Sequence, residues 1–187
     1  MAAVVSTMKP QSLYKDADMR GYHAILTIDG IEGYSEFMDK GGIDVVAFNF
    51  TTRYNDAHAG FRAPQGGQKP AAEGKQKAVM FDGLMIRKRI DKATPLLFQA
   101  MAKATKIKTV AIHLYRDPPE GGEAEHFYTI TLGDVYVSLA SITDLDFGEG
   151  EGKGAGQAFE DVRFIANSIE HNHVKAQKVA SVLLTGT

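Results

Sequence analysis

Two histidines stand two residues apart in the run SIEHNHV that begins at Ser168. On a strand, His171 and His173 project from one face, the spacing with which two imidazoles can be offered to a metal ion. A metal site needs further ligands, and the nearest carboxylate, Glu170, falls on the opposite face, so packed or hydrogen-bonded histidines are the expectation. His23, His58, His113 and His126 are scattered along the chain. The glycine run GEGEGKGAG from Gly148 to Gly156 suggests a phosphate loop, but it lacks the Gly-Lys-Ser/Thr ending and a following helix, and Glu149 and Glu151 would repel a phosphate. A solvated hairpin loop is expected there. Asp144 and Asp146 just ahead of it lack the spacing, central glycine and closing glutamate of a helix-loop-helix calcium site. No serine lies in a strand-to-helix elbow flanked by glycines. The expectation is a protein without catalytic residues, metal or cofactor.

Bulk properties narrow the choice further. A chain of 187 residues can bury about two thirds of its unfolded surface in one domain without a disulfide or metal. Lysine plus arginine is 21 and aspartate plus glutamate 23, a net charge of −2 with both signs mixed, which disfavours nucleic acid as a partner. Cysteine is absent, so thiolate chemistry and the usual zinc sites are excluded. The start, MAAVVSTMKP, has no basic region followed by an apolar core, and no run approaches the ~20 apolar residues of a membrane span. A cytoplasmic start without membrane insertion is expected, so export would need a dedicated machine.

The elements that must position any site are mostly strands. Residues 1–21 read as an extension, and residues 22–187 as one domain. From Tyr22 to Asp29, Tyr22, Ala24, Leu26 and Ile28 share one face, with His23, Thr27 and Asp29 opposite. From Ile43 to Tyr54, strict alternation places Val46, Phe48 and Phe50 on a core face, and Val45, Ala47, Asn49 and Thr51 on the other. Asn55 to Lys77 is a long loop rich in glycine, proline and polar residues, a length a small domain keeps for a use. Further strands are expected over Val79–Ile90, Ile107–Arg116, Phe127–Phe147 with a break at Gly133-Asp134, and Phe159–Val174. Arg89 to Lys106 reads as the single helix, capped by Thr94, with Pro95 in the first turn and an apolar stripe of Leu97, Ala100, Met101 and Ala104. The fold class is therefore mainly β: a closed antiparallel β-barrel with one α-helix and a long extended loop.

Read together, RIDKATPLLFQAM, the following IKTVAIHLYR and FYTITLGDVYVSLAS resemble the tube protein of bacterial type VI secretion, the haemolysin co-regulated protein (Hcp) family. HAILTIDGIEGYSE with GGIDVVAFNF is similar to that family's opening strand pair, and SIEHNHV to its closing strand, where the family commonly has a tryptophan in place of His171. The resemblance covers roughly residues 22–175. It implies a structural subunit that forms six-membered rings, stacked into a tube that is expelled with a spike and can carry or chaperone effectors in its lumen. It also implies the sheath, spike and baseplate proteins as partners, and export by the type VI machinery without a signal peptide to the extracellular space or a target cell. Ala47, Asn49 and Thr51 would then face the lumen, and the 55–77 loop would reach a neighbouring subunit or ring. The competing reading is a stand-alone small-molecule-binding barrel, with large apolar side chains around an open cavity.

Overall fold

The computed structural model describes residues 22–38, 41–54, 79–117, 123–144 and 158–184. The 1–21 extension, the whole 55–77 loop, and the 148–156 glycine run lie outside the described residues. In chain order the elements are β1 (Tyr22–Ile28), β2 (Ile43–Tyr54), β3 (Val79–Arg89), α1 (Thr94–Ala102), β4 (Ile107–Arg116), β5 (Glu125–Asp144), β6 (Ala158–Ile165), β7 (Ser168–His173) and β8 (Lys178–Leu183). Strands neighbour one another in the order β4-β1-β2-β3-β6-β5, and the β4–β5 pairing joins the two ends. Six antiparallel strands thus close into a barrel, and closure removes the edges that an open sheet would expose.

The 20-residue β5 makes closure possible. Its first half pairs with β4 and, on its other side, with β7; from Tyr136 onward it pairs with β6. The handover follows Gly133 and Asp134, where Asp134 takes a left-handed φ of 52°. The break expected there is a bend, because the chain stays extended while its partners change. The stretch Phe159–Val174 is two strands rather than one, divided at Ala166 and Asn167, and β8 follows them as a strand the alternation did not reveal.

Alternating inward residues fill the interior. Leu26, Leu84, Ile86, Val110, Ile112, Leu132, Val162 and Phe164 are all 0% exposed, so the barrel centre is packed side chain rather than cavity. Tyr22, Ala24, Leu26 and Ile28 face this core as their alternation requires.

In β2 the period slips. The pairing with β3 shifts between Val45, opposite Lys88, and Ala47, opposite Arg87, leaving Val46 as an extra residue in a β-bulge. Val45 therefore joins the core at 9% exposure, whereas Val46 is half-buried outside it, reversing the faces that strict alternation assigns to these two residues. Beyond the bulge the phase is restored. Phe48 and Phe50 pack on the core, and Asn49 and Thr51 are exposed on the far side with half-buried Ala47.

The helix is shorter than the Arg89–Lys106 pattern suggests. Arg89 ends β3, α1 begins at Thr94, and Ala104 lies past the helix, exposed, with a left-handed φ of 47°. Leu97 and Ala100 are buried, Met101 is half-buried, and the helix packs on β5. Pro95 sits in the first turn as expected, but Thr94 does not cap it: Ala93 is the N-cap, and its side chain makes no capping hydrogen bond. The hydroxyl of Thr94 has other partners, for a reason that lies inside the barrel.

Candidate functional site

Residues directly opposite in an antiparallel pair share a face. Ala47, Asn49 and Thr51 are opposite Arg87, Met85 and Gly83 of β3; Arg87 and Met85 are in turn opposite Asp161 and Arg163 of β6, and these opposite Ser141 and Leu139 of β5. The three candidate residues therefore belong to one outward face, four strands wide. Thr51 donates its hydroxyl to Asn49 Oδ1 at 2.7 Å. Across the middle strands, Arg87 grips Asp161 with two parallel hydrogen bonds, Nε to Oδ1 and Nη2 to Oδ2, each 2.5 Å, the fork geometry that gives a planar guanidinium its directionality. Arg163 donates from Nε and Nη2 to the carbonyl of Asp82, where a second register shift in the β2–β3 ladder leaves Asp82 without an opposite residue. Gly83, beside it, has φ 108°, and a Cβ there would lie 2.9 Å from the carbonyl oxygen of Phe164. The wall thus combines small and polar groups with the apolar Met85 and Leu139, and holds the paired Arg87 and Asp161 beside an Arg163 bonded to a backbone carbonyl.

Arg87, Asp161 and Arg163 are additions to the sequence reading. Their outward phase was visible in VMFDGLMIRKR and AFEDVRFI, but only the pairing across 74 residues brings Arg87 to Asp161.

One residue further along the same strands, a buried ionic network closes one end of the core. Lys88 is 0% exposed; its ammonium donates to Glu160 Oε2 at 3.1 Å, to Thr94 Oγ1 at 3.0 Å and to the Arg89 carbonyl at 2.8 Å, and lies 2.8 Å from Asp91 Oδ1. Thr94 donates its hydroxyl to Glu160 Oε2 at 2.9 Å and accepts the Asp91 amide at 3.2 Å. Asp91 also accepts the amides of Ala93 and Tyr34, at 2.9 and 3.0 Å. One network therefore ties β3, β6, the helix start and the segment after β1 together. A Cβ on Gly33 would meet Ile43 Cγ1 and come within 2.7 Å of Asp91 Oδ2, so only glycine allows that segment to approach. Every group in the network is paired, as a structural assembly requires.

His171 and His173 lie on one face of β7, as their spacing requires, against Tyr128 of β5. The Tyr128 hydroxyl is 2.9 Å from His171 Nδ1, Phe50 meets the same ring edge-on, and His173 Nδ1 accepts the Ala176 amide at 3.3 Å. His171 is half-buried and hydrogen-bonded, whereas His173 is hydrogen-bonded but exposed. No cluster of three or more His, Asp or Glu side chains able to hold a metal occurs among the described residues.

Two of the other histidines, His113 and His126, stand together. On the outer face of the barrel's other side, His113 lies between Thr27 Oγ1 at 3.0 Å and Thr129 Oγ1 at 3.4 Å, and its ring centre is 5.3 Å from that of His126. Burial, and then the neighbouring His126, push the His113 pKa down; burial alone pushes down that of His171. A histidine whose folded pKa is depressed contributes stability that is complete above the ordinary histidine pKa of about 6.5 and is lost as the pH falls below it. Thermal melts from pH 8 to pH 5 should therefore show a falling Tm below about pH 6.5, with a shallower slope for His113→Gln. Parallel slopes would remove His113 from that account.

With this geometry established, comparison with known proteins is direct. The family model described as "Type VI secretion system effector, Hcp" matches residues 25–173. A protein of Pseudomonas aeruginosa named major exported protein is 33% identical over 113 residues, which is 60% of this chain and 60% of that protein. Three solved structures share the fold. Hcp1 from Salmonella typhimurium has TM-score 0.61 and 20% identity, covering 88% of this chain and 95% of that one. The secreted protein Hcp3 from Pseudomonas aeruginosa has TM-score 0.64 and 19% identity, covering 88% and 99%. A type VI secretion system effector from Yersinia pestis has TM-score 0.58 and 21% identity, covering 85% and 96%. A closed six-stranded barrel with a single described helix, matched over most of its length by this family model, places the chain in the Hcp family of the bacterial type VI secretion system.

Proposed function

We propose that this protein is the structural tube subunit of a type VI secretion system: copies close into six-membered rings, the rings stack within a contractile sheath, and the tube is expelled with its spike to the extracellular space or a target cell. The observation that carries this reading is the pairing of a packed barrel with a broad outer wall in which Arg87 and Asp161 neutralise each other. A filled interior leaves no room for the ligand of a stand-alone binding barrel, while the wall of Ala47, Asn49, Thr51, Met85 and the Arg87–Asp161 pair suits a conduit for varied proteins. A wall of one strong charge would hold cargo of the opposite sign too tightly to release it. A ring of identical subunits meets through unlike patches and closes when the rotation between copies divides a full turn. Export of this chain is supported by its family and by the related protein named for being exported.

The lumen assignment has a simple test, because the chain has no cysteine and a single introduced thiol is unique. Asn49→Cys should leave assembly intact and react with a small maleimide in assembled tubes, but resist a polymer-linked maleimide too wide for the bore. Lys103→Cys, at the exposed helix end, should react with both. Equal polymer labelling at the two positions would place the β2 face outside.

A further inference from the structure

All six residues of β8 are exposed, so neither face of this strand is covered; Val179, Val182 and Leu183 are 60%, 42% and 78% exposed. Among the described residues β8 pairs with β7 alone and ends the sheet. Leu184, just beyond it, returns to the core at 7% exposure and donates its amide to the Asn167 carbonyl. Amides alternate in direction along a strand, so those of Lys178, Ala180 and Val182 point back to β7, and those of Val179, Ser181 and Leu183 point to the open edge. An edge with apolar side chains on both faces is a template for another strand unless something covers it.

We propose that the chain's own residues 2–8, AAVVSTM, cover this edge as an antiparallel strand beside β8. Composition selects the occupant: outside the described residues, this is the longest run free of glycine, proline and charge, whereas residues 55–78 and 145–157 are broken by all three or by glycine and charge. Valine and threonine favour strands, and Val4 and Val5 give the segment an apolar side chain on each face, matching the two bare faces of β8. Reach is sufficient. Tyr22 pairs with Arg116, Arg116 pairs with Glu125, and the Lys175 ammonium at the β7–β8 turn lies 3.3 Å from Glu125, so the chain enters β1 at the end of the barrel where β8 begins. From β1 past β4, β5, β7 and β8 is about five strand spacings, roughly 24 Å; residues 9–21 span up to about 43 Å when extended. A segment crossing the β7–β8 turn and lying along the edge then runs opposite to β8, the better-bonded arrangement for adjacent strands.

Hydrogen exchange tests this in the full chain and in a chain lacking residues 2–8, each at several concentrations. The proposal expects the Val179, Ser181 and Leu183 amides to exchange at least tenfold faster in the shortened protein, with Lys178, Ala180 and Val182 changing little. Val5→Pro in the full chain, which removes one bonding amide far from the barrel core, should reproduce that loss. Equal rates in all three proteins would overturn the proposal. Protection that survives the deletion and rises with concentration would also overturn it, assigning the edge to a second copy.

Discussion

Lys88→Met is expected to lower the unfolding free energy by about 3–5 kcal/mol, the range for breaking a buried ion pair by removing one partner. The Lys88 side chain is 0% exposed and those of Glu160 and Asp91 only 2% and 12%, so water cannot replace the ammonium. Both carboxylates would remain, with hydroxyl and amide donors but no cation. The thioether fills most of the lost volume, so the cost is electrostatic rather than a cavity. Lys88→Met with Glu160→Leu should recover at least half of the loss, because replacing both charges by packed apolar groups is often neutral. Urea unfolding at neutral pH measures all three proteins. A single variant within about 1 kcal/mol of the parent, the usual limit for an exposed pair, would show that Lys88 reaches water in solution. Because this network also anchors Tyr34 and the helix start, the destabilised variant should lose protection in the segment after β1 before the barrel unfolds.

The second large effect concerns assembly. Replacing residues 55–78 by an Asn-Gly dipeptide should leave the barrel folded and abolish stacked tubes while retaining rings. Tyr54 and Val79 are register partners at the ends of β2 and β3, so the strand ends already stand side by side and a two-residue turn can join them. Shortening the loop also lowers loop-closure entropy, by on the order of 2 kcal/mol, so the Tm should hold or rise. Any loss of stacking is then not a folding defect. Tubes of normal length from this variant would exclude the loop as the contact between rings.

Much of this fold was legible because alternation reports burial directly. The inward residues of β1, the Phe48 and Phe50 face of β2 and the helix stripe of Leu97 and Ala100 all lie where a two- or 3.6-residue period puts them. Two of the errors share a physical origin: hydrogen-bond partners lie far away in sequence. The bulge at Val46 exists because β3 opposes it in a particular register, and nothing local to VVAFNF marks it. Thr94 looks like a cap until Glu160, 66 residues later, takes its hydroxyl. β8 was missed because its exposure on both faces erases the alternation. Lys88 and Glu160 did carry a signal: each is a charge at an inward position of an otherwise alternating strand, which demands a buried partner. Of the wall, Asn49 and Thr51 could be placed from sequence, but the Arg87–Asp161 clasp required the sheet order.

Negative-stain electron microscopy of the purified full-length protein tests the tube reading most directly. The account predicts six-fold rings in top views, with stacked side views at higher concentration. Single barrels with no rings across the micromolar range would contradict it.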